Sequence, residues 1–192
     1  MKRLIVAITG ASGAIYGVRA LEMLRDVGVE THLILTAAGI RTINAELDLG
    51  VDAVRALADH THNPKDIGAS ISSGSFVTDG MLVAPCSIKS LSGIAHCYND
   101  ELVVRAADVC LKERRRVVLL LRETPFHLGH IELMAQATRN GAIVMPPVPA
   151  FYHRPATIDD IVNQTVARAL DLFGVSVQAI RRWNGRASIG AA

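Results

Sequence analysis

Residues 4–17, LIVAITGASGAIYG, decide the architecture. The apolar run 4–8 has the length of a strand, Thr9-Gly10-Ala11-Ser12-Gly13 breaks it, and Ala14 opens a stretch with helical periodicity. A strand, a glycine-rich turn and a helix start make the arrangement that holds phosphates, because free backbone N–H groups and the positive helix end point at one place. The spacing is not that of a dinucleotide fold. G-x-G-x-x-G requires glycine where Ser12 stands, and T-G-x-x-G-x-x-G requires one where Tyr16 stands.

Outward from this unit, apolar runs of strand length recur at 32–35, 81–84, 117–121 and 142–145. Between them lie helical patterns at 14–27, 38–46, 51–58, 88–95, 101–113, 128–140 and 158–173, the last with Thr157 and Asp160 placed as a cap pair. Such alternation predicts an α/β fold, a parallel sheet covered by helices on both faces. In such sheets ligands lie beyond the carboxyl ends of the strands. The loops there read TGASG, TAAG, PCSIKS, RETPFH and PPVPAFYHRP.

With 192 residues, half of them apolar, the chain can bury one core, so one domain over 1–183 and a flexible Gly/Ala/Ser-rich tail over 184–192 are expected. A net charge of +2 argues against a nucleic-acid binder, so any anion site is local. Cys86, Cys97 and Cys110 lack C-x-x-C spacing and read as reduced, buried residues of a cytosolic protein. The start MKRLIVAI carries an apolar run too short for export, and no stretch approaches the roughly 20 apolar residues of a membrane span, so a soluble, cytoplasmic protein is expected.

Thr36 follows the second strand where a dinucleotide enzyme carries an acidic residue, and no tyrosine has a lysine four residues away, so NAD is not expected. Ser87, Lys89 and Ser90 sit at a strand-to-helix mouth and can grip a ligand edge, although serine also serves as an ordinary cap. Arg122 and Glu123 follow the strand VVLLL, which delivers them to the ligand edge, a pairing suited to an anionic substrate that needs a proton moved. Arg114 to Arg116 read as a solvated turn. His60 with His62, and His127 with His130, lack a carboxylate or cysteine at ligand spacing and read as solvated or capping, so no metal is expected.

Together TGASGAIYG, SSGSF (72–76), PCSIKSLSGIA, RAADVCLKERR, LRETPF and PAFYHRP resemble, in order and spacing, the UbiX flavin prenyltransferase family, in its branch associated with phenolic-acid decarboxylases. The resemblance implies a flavodoxin-like or Rossmann-like three-layer sandwich, assembled as a homododecamer with sites at subunit junctions. It implies a metal-independent enzyme that joins the dimethylallyl group of dimethylallyl phosphate to reduced FMN at N5 and C6. The prenylated FMN product passes to a UbiD-type decarboxylase.

Carried onto this chain, the resemblance places Gly10, Ala11, Ser12, Thr36, Ser87, Ile88, Lys89, Ser90, Arg105 and Arg122 at FMN. It places Lys112, Tyr152, Arg168 and Trp183 at dimethylallyl phosphate, with Lys112 and Glu123 in one substrate pocket. Ser12, Glu46, Lys112 and Glu123 are the implied catalytic set, Ser12 and Glu46 as the polar pair near flavin N5. Two other readings are an FMN-dependent cysteine decarboxylase of the same fold, which lacks support because its PASANT-like loop is PCSIKS here, and a non-catalytic flavin carrier or accessory protein of a decarboxylase.

Overall fold

The inner strands of the central sheet divide their side chains between two cores. In β1 (Arg3–Ile8) Leu4, Val6 and Ile8 face one side while Ile5 and Ala7 face the other, and β4 (Gly80–Cys86) and β5 (Arg116–Leu121) alternate likewise. A computed structural model describes residues 1–178 together with Arg182 and Trp183; the tail expected over 184–192 lies outside the described residues. One core is closed by α1 (Ala14–Asp26), α2 (Ala37–Glu46), α3 (Val51–Arg55) and α7 (Ile158–Asp171). The other is closed by α4 (Ile88–His96), α5 (Leu102–Lys112) and α6 (Leu128–Arg139). The three-layer α/β sandwich expected from the alternation is present.

All strand pairs are parallel, in the order β3-β2-β1-β4-β5-β6, with β2 at Glu30–Leu35, β3 at His60–His62 and β6 at Ile143–Val144. This is the Rossmann strand order, and without the edge strand β3 it is the flavodoxin order. The order reverses between β1 and β4, so the loops after these two strands face each other across a crevice.

Five expected strands exist with shifted ends. β2 begins two residues earlier than its apolar run because Arg3 pairs with Glu30 in the ladder, whereas β6 keeps only two ladder residues. β3 escapes the apolar pattern, since His-Thr-His carries no apolar residue. Asp59 holds it by accepting from the Thr31 N–H and hydroxyl, and this cuts α3 short of residue 58. His60 and His62 are therefore ladder residues rather than caps, whereas His127 does cap α6.

Two further expectations fail. Cys97 is exposed, in a left-handed conformation at the end of α4, while burial pushes the Cys86 and Cys110 thiols up to about 12 and about 11. Arg115 donates to the carbonyls of Phe76 and Gly74 and is half-buried, tying that loop to the sheet, whereas Arg114 and Arg116 stand exposed as expected, Arg116 while donating to the Leu172 carbonyl.

α1 lies hard against the sheet at Gly17, where an added Cβ would overlap the Ala84 carbonyl oxygen. Gly17→Ala is expected to lower stability by about 1–3 kcal/mol by forcing α1 off β1 and β4. The urea midpoint measures it; an unchanged midpoint contradicts the close approach.

Candidate functional site

The carboxyl ends of β1 and β4 are stapled by one buried side chain. Thr9 Oγ1 donates to the Pro85 carbonyl at 2.8 Å and accepts from the Ser87 N–H at 2.8 Å. This fixes the two crevice loops relative to each other. Between them opens a cleft of about 560 Å³ that includes Gly10, Ala11, Ser12, Thr36, Ser87 and Arg122 in its walls, with Ile88, Lys89, Ser90 and Glu123. Gly10 is required because a Cβ there would overlap that of Ala38.

The start of α1 is not open to an anion. Gly13, at φ 98°, turns the chain into the helix, and Glu46 from the end of α2 accepts from the N–H groups of Gly13 at 2.8 Å and Ala14 at 3.1 Å. Burial raises the Glu46 carboxyl, but hydrogen bonds from Ser12, Gly13 and Ala14 and the charge of Arg122 outweigh it and leave the group below its ordinary range. The phosphate expected at this turn is thus displaced by the protein's own carboxylate. Glu46 itself is not part of the cleft wall, which Ser12 lines.

Two other helix starts do face the cleft. Thr36 caps α2 by accepting from Gly39 N–H at 3.0 Å, and Ser87 caps α4 by accepting from Ser90 N–H at 3.3 Å. Helix geometry leaves the N–H groups of Ala37 and Ala38, and of Ile88 and Lys89, without intrahelical partners. Arg41 projects from α2 into the same space, and Lys89 is tied to Glu101 at 2.6 Å on the rim. This end of the cleft suits a phosphate.

Ser12, Arg122 and Glu123 also line a second recess of about 490 Å³, whose remaining walls include Tyr16, Phe126, Pro146, Pro147 and Val162. The three polar residues therefore stand between an anion-ready cleft and a largely apolar pocket. Burial raises the Tyr16 hydroxyl, with Arg122 pulling the other way. A phosphate-bearing polar molecule on one side and a small branched hydrocarbon on the other match this division.

The other expected residues form separate groups. Tyr152 accepts from the Gln164 amide at 2.8 Å and meets Trp183 edge-on, with ring centres 6.0 Å apart. Arg168 and Arg182 both bind Asp171, at 2.7 and 2.8 Å, so Tyr152, Trp183 and Arg168 share the flank of α7. Lys112 pairs with Glu113 at the amino edge of the sheet, beside Gly74. Arg105 donates to the Ser72 carbonyl at 3.2 Å and to Asp108 at 3.1 Å. Lys112 and Glu123 do not share a pocket within one chain: β5 separates them, six residues or about 20 Å.

Residues 1–170 match the Flavoprotein family. Flavin prenyltransferase UbiX of Escherichia coli (strain K12) is 60% identical over 188 residues, covering 96% of this chain and 100% of that protein. The chain belongs to the UbiX flavin prenyltransferase family. AnUbiX (PadA1), solved in complex with FMN and dimethylallyl pyrophosphate, superposes with a TM-score of 0.94 at 49% identity over 96% of this chain and 98% of its own. A dodecameric FMN-dependent UbiX-like decarboxylase from Escherichia coli O157:H7 superposes with a TM-score of 0.93 at 52% identity, covering 95% and 100%.

For this UbiX-family chain, local sequence missed Arg41 and Glu101 in the cleft and Arg182 and Asp171 beside Tyr152. Arg41 was within reach of a helical reading, one turn beyond Ala37 and Ala38. Glu101 was not, because it meets Lys89 only through the packing of α5 beside α4.

Glu46→Gln is expected to lower stability by about 1 kcal/mol at neutral pH, the usual cost of a weakened helix cap. Because the folded-state pKa is depressed, the wild-type advantage is present above the ordinary carboxylate range and is lost as pH falls through the lowered value. Urea melts of both proteins from neutral to acid pH test this; a constant difference contradicts the charged cap.

Proposed function

We infer that the protein is a flavin prenyltransferase: it joins the dimethylallyl group of dimethylallyl phosphate to reduced FMN and supplies prenylated FMN to a UbiD-type decarboxylase. The observation that carries the chemistry is the shared wall of Ser12, Arg122 and Glu123 between the anion-ready cleft and the apolar recess. Reduced FMN supplies the nucleophilic ring positions. The starts of α2 and α4, with Arg41, hold its phosphate, and Ser12, Arg122 and Glu123 stand at the edge where the new bonds form.

Departure of phosphate from an allylic carbon leaves positive charge on carbon and negative charge on the leaving oxygens. Lys112, Arg168 and the Tyr152 hydroxyl stabilise the departing anion, so no metal is required for that task. The recess excludes water from the allyl group, with Trp183 a further apolar wall. Closing the second bond requires loss of a ring proton, for which Glu123 and the leaving phosphate are the acceptors in reach. Glu46 holds the Ser12 hydroxyl in place on the N5 side.

Because Lys112 lies a strand's length from Glu123 in its own chain, the working site is completed by other copies. The homododecamer carried by one relative is the assembly proposed here. The exposed residues Phe126, Leu128, Ile131, Phe151 and Ile158 give such copies an apolar surface to cover. No helix among the described residues is long and apolar enough to cross a membrane, and a cytoplasmic location fits the reaction proposed. The cysteine-decarboxylase and carrier readings gain nothing from the 60% identity to a flavin prenyltransferase.

Anaerobic incubation with reduced FMN and dimethylallyl phosphate should add one five-carbon unit to the flavin by mass spectrometry; an unchanged flavin beside an active relative contradicts the activity. Lys112→Ala and Glu123→Gln should each abolish or slow turnover, and dissociating, mixing and reassembling the two should restore part of it. No recovery in verified mixed oligomers places both residues in one chain's site.

A further inference from the structure

Of the two β3 histidines, which lack a carboxylate in the local sequence, His60 gains one through the ladder. His60 pairs with His32 of β2, and Glu30 lies two residues before His32 on the same face. Glu30 Oε1 stands 3.1 Å from His32 Nε2 and 3.6 Å from His60 Nε2, and the three ligand-type atoms all lie within 4.8 Å of one another. A tetrahedral ion with bonds of about 2.0–2.1 Å spaces its ligand atoms about 3.3 Å apart. The two short edges bracket that value, so a metal can enter with small side-chain shifts.

The supporting shell is also present. His62 Nε2 lies 2.8 Å from His32 Nδ1, the position from which a second group fixes the tautomer and ring orientation of a metal-binding imidazole. Arg3 grips Glu30 through Nε to Oε1 at 2.7 Å and a terminal nitrogen to Oε2 at 2.9 Å, aiming the carboxylate so that the second lone pair of Oε1 faces His32 and is the one a metal would take. His32 is buried, whereas the His60 side chain is 55% exposed at the sheet edge and leaves an open path and a fourth position for water.

We propose that Glu30, His32 and His60 bind one divalent transition-metal ion of the zinc class, clipping the edge strand β3 to β2. Two imidazoles and one carboxylate favour such an ion over Mg²⁺ or Ca²⁺, which take shells of oxygen ligands. The site lies on the β2/β3 edge, away from the crevice between β1 and β4, so its role is to hold structure, independent of prenyl transfer.

The test is calorimetric titration of the chelator-treated full-length protein with ZnCl₂, with Co²⁺ absorption as a readout of coordination. The expected result is one ion per chain, a four-coordinate Co²⁺ spectrum and no matching uptake of Mg²⁺. His62→Ala should weaken binding about 10–100-fold, as loss of an outer-shell partner does, and His60→Ala by more than that. His60→Cys should restore binding, and His127→Ala should leave it unchanged. FMN binding verifies that each variant is folded. Absence of stoichiometric zinc uptake, or equal uptake by folded His60→Ala and wild type, overturns the proposal.

Discussion

The carboxylate of Glu46 on the first N–H groups of α1 is the constraint around which the site is built. A helix start beside a glycine-rich turn attracts an anion, and here the chain supplies its own. With that position filled, the anion-binding capacity of the crevice passes to the starts of α2 and α4. Ser12 is left at the mouth of the turn, in the walls of both the cleft and the apolar recess. A turn that looks like a damaged dinucleotide cradle thus places a hydroxyl in the wall shared by the two cavities.

This arrangement depends on backbone fit. Thr9 fixes β1 to β4 at the point where the strand order reverses, and Gly17 and Gly10 let α1 and α2 approach closely enough for Glu46 to reach Gly13. The carboxylate is charged in the folded state because three donors and Arg122 offset its partial burial. Stability and site geometry therefore share the same few contacts.

Much of this was legible in the sequence. Alternating apolar runs implied the parallel sheet, and strand ends placed Ser12, Thr36, Ser87 and Arg122 on one edge. What was hidden follows from chain-distant pairing. The polar strand His60–His62 has no apolar signature, and its carboxylate companion Glu30 arrives only through strand register. Lys89 meets Glu101, and Thr9 meets Ser87, across helix and strand contacts that no local window contains. Residues assigned to one pocket by family resemblance fall into separate groups in the single chain, since strand length alone keeps Lys112 from Glu123.

The most direct test of the account is a crystal structure of the protein with FMN bound. The account predicts the flavin phosphate at the starts of α2 and α4, near Thr36, Ser87 and Arg41, with the Ser12 hydroxyl at N5 and Glu46 still bonded to Gly13 and Ala14. A phosphate seated on the Gly13 and Ala14 N–H groups, with Glu46 driven out, would contradict it.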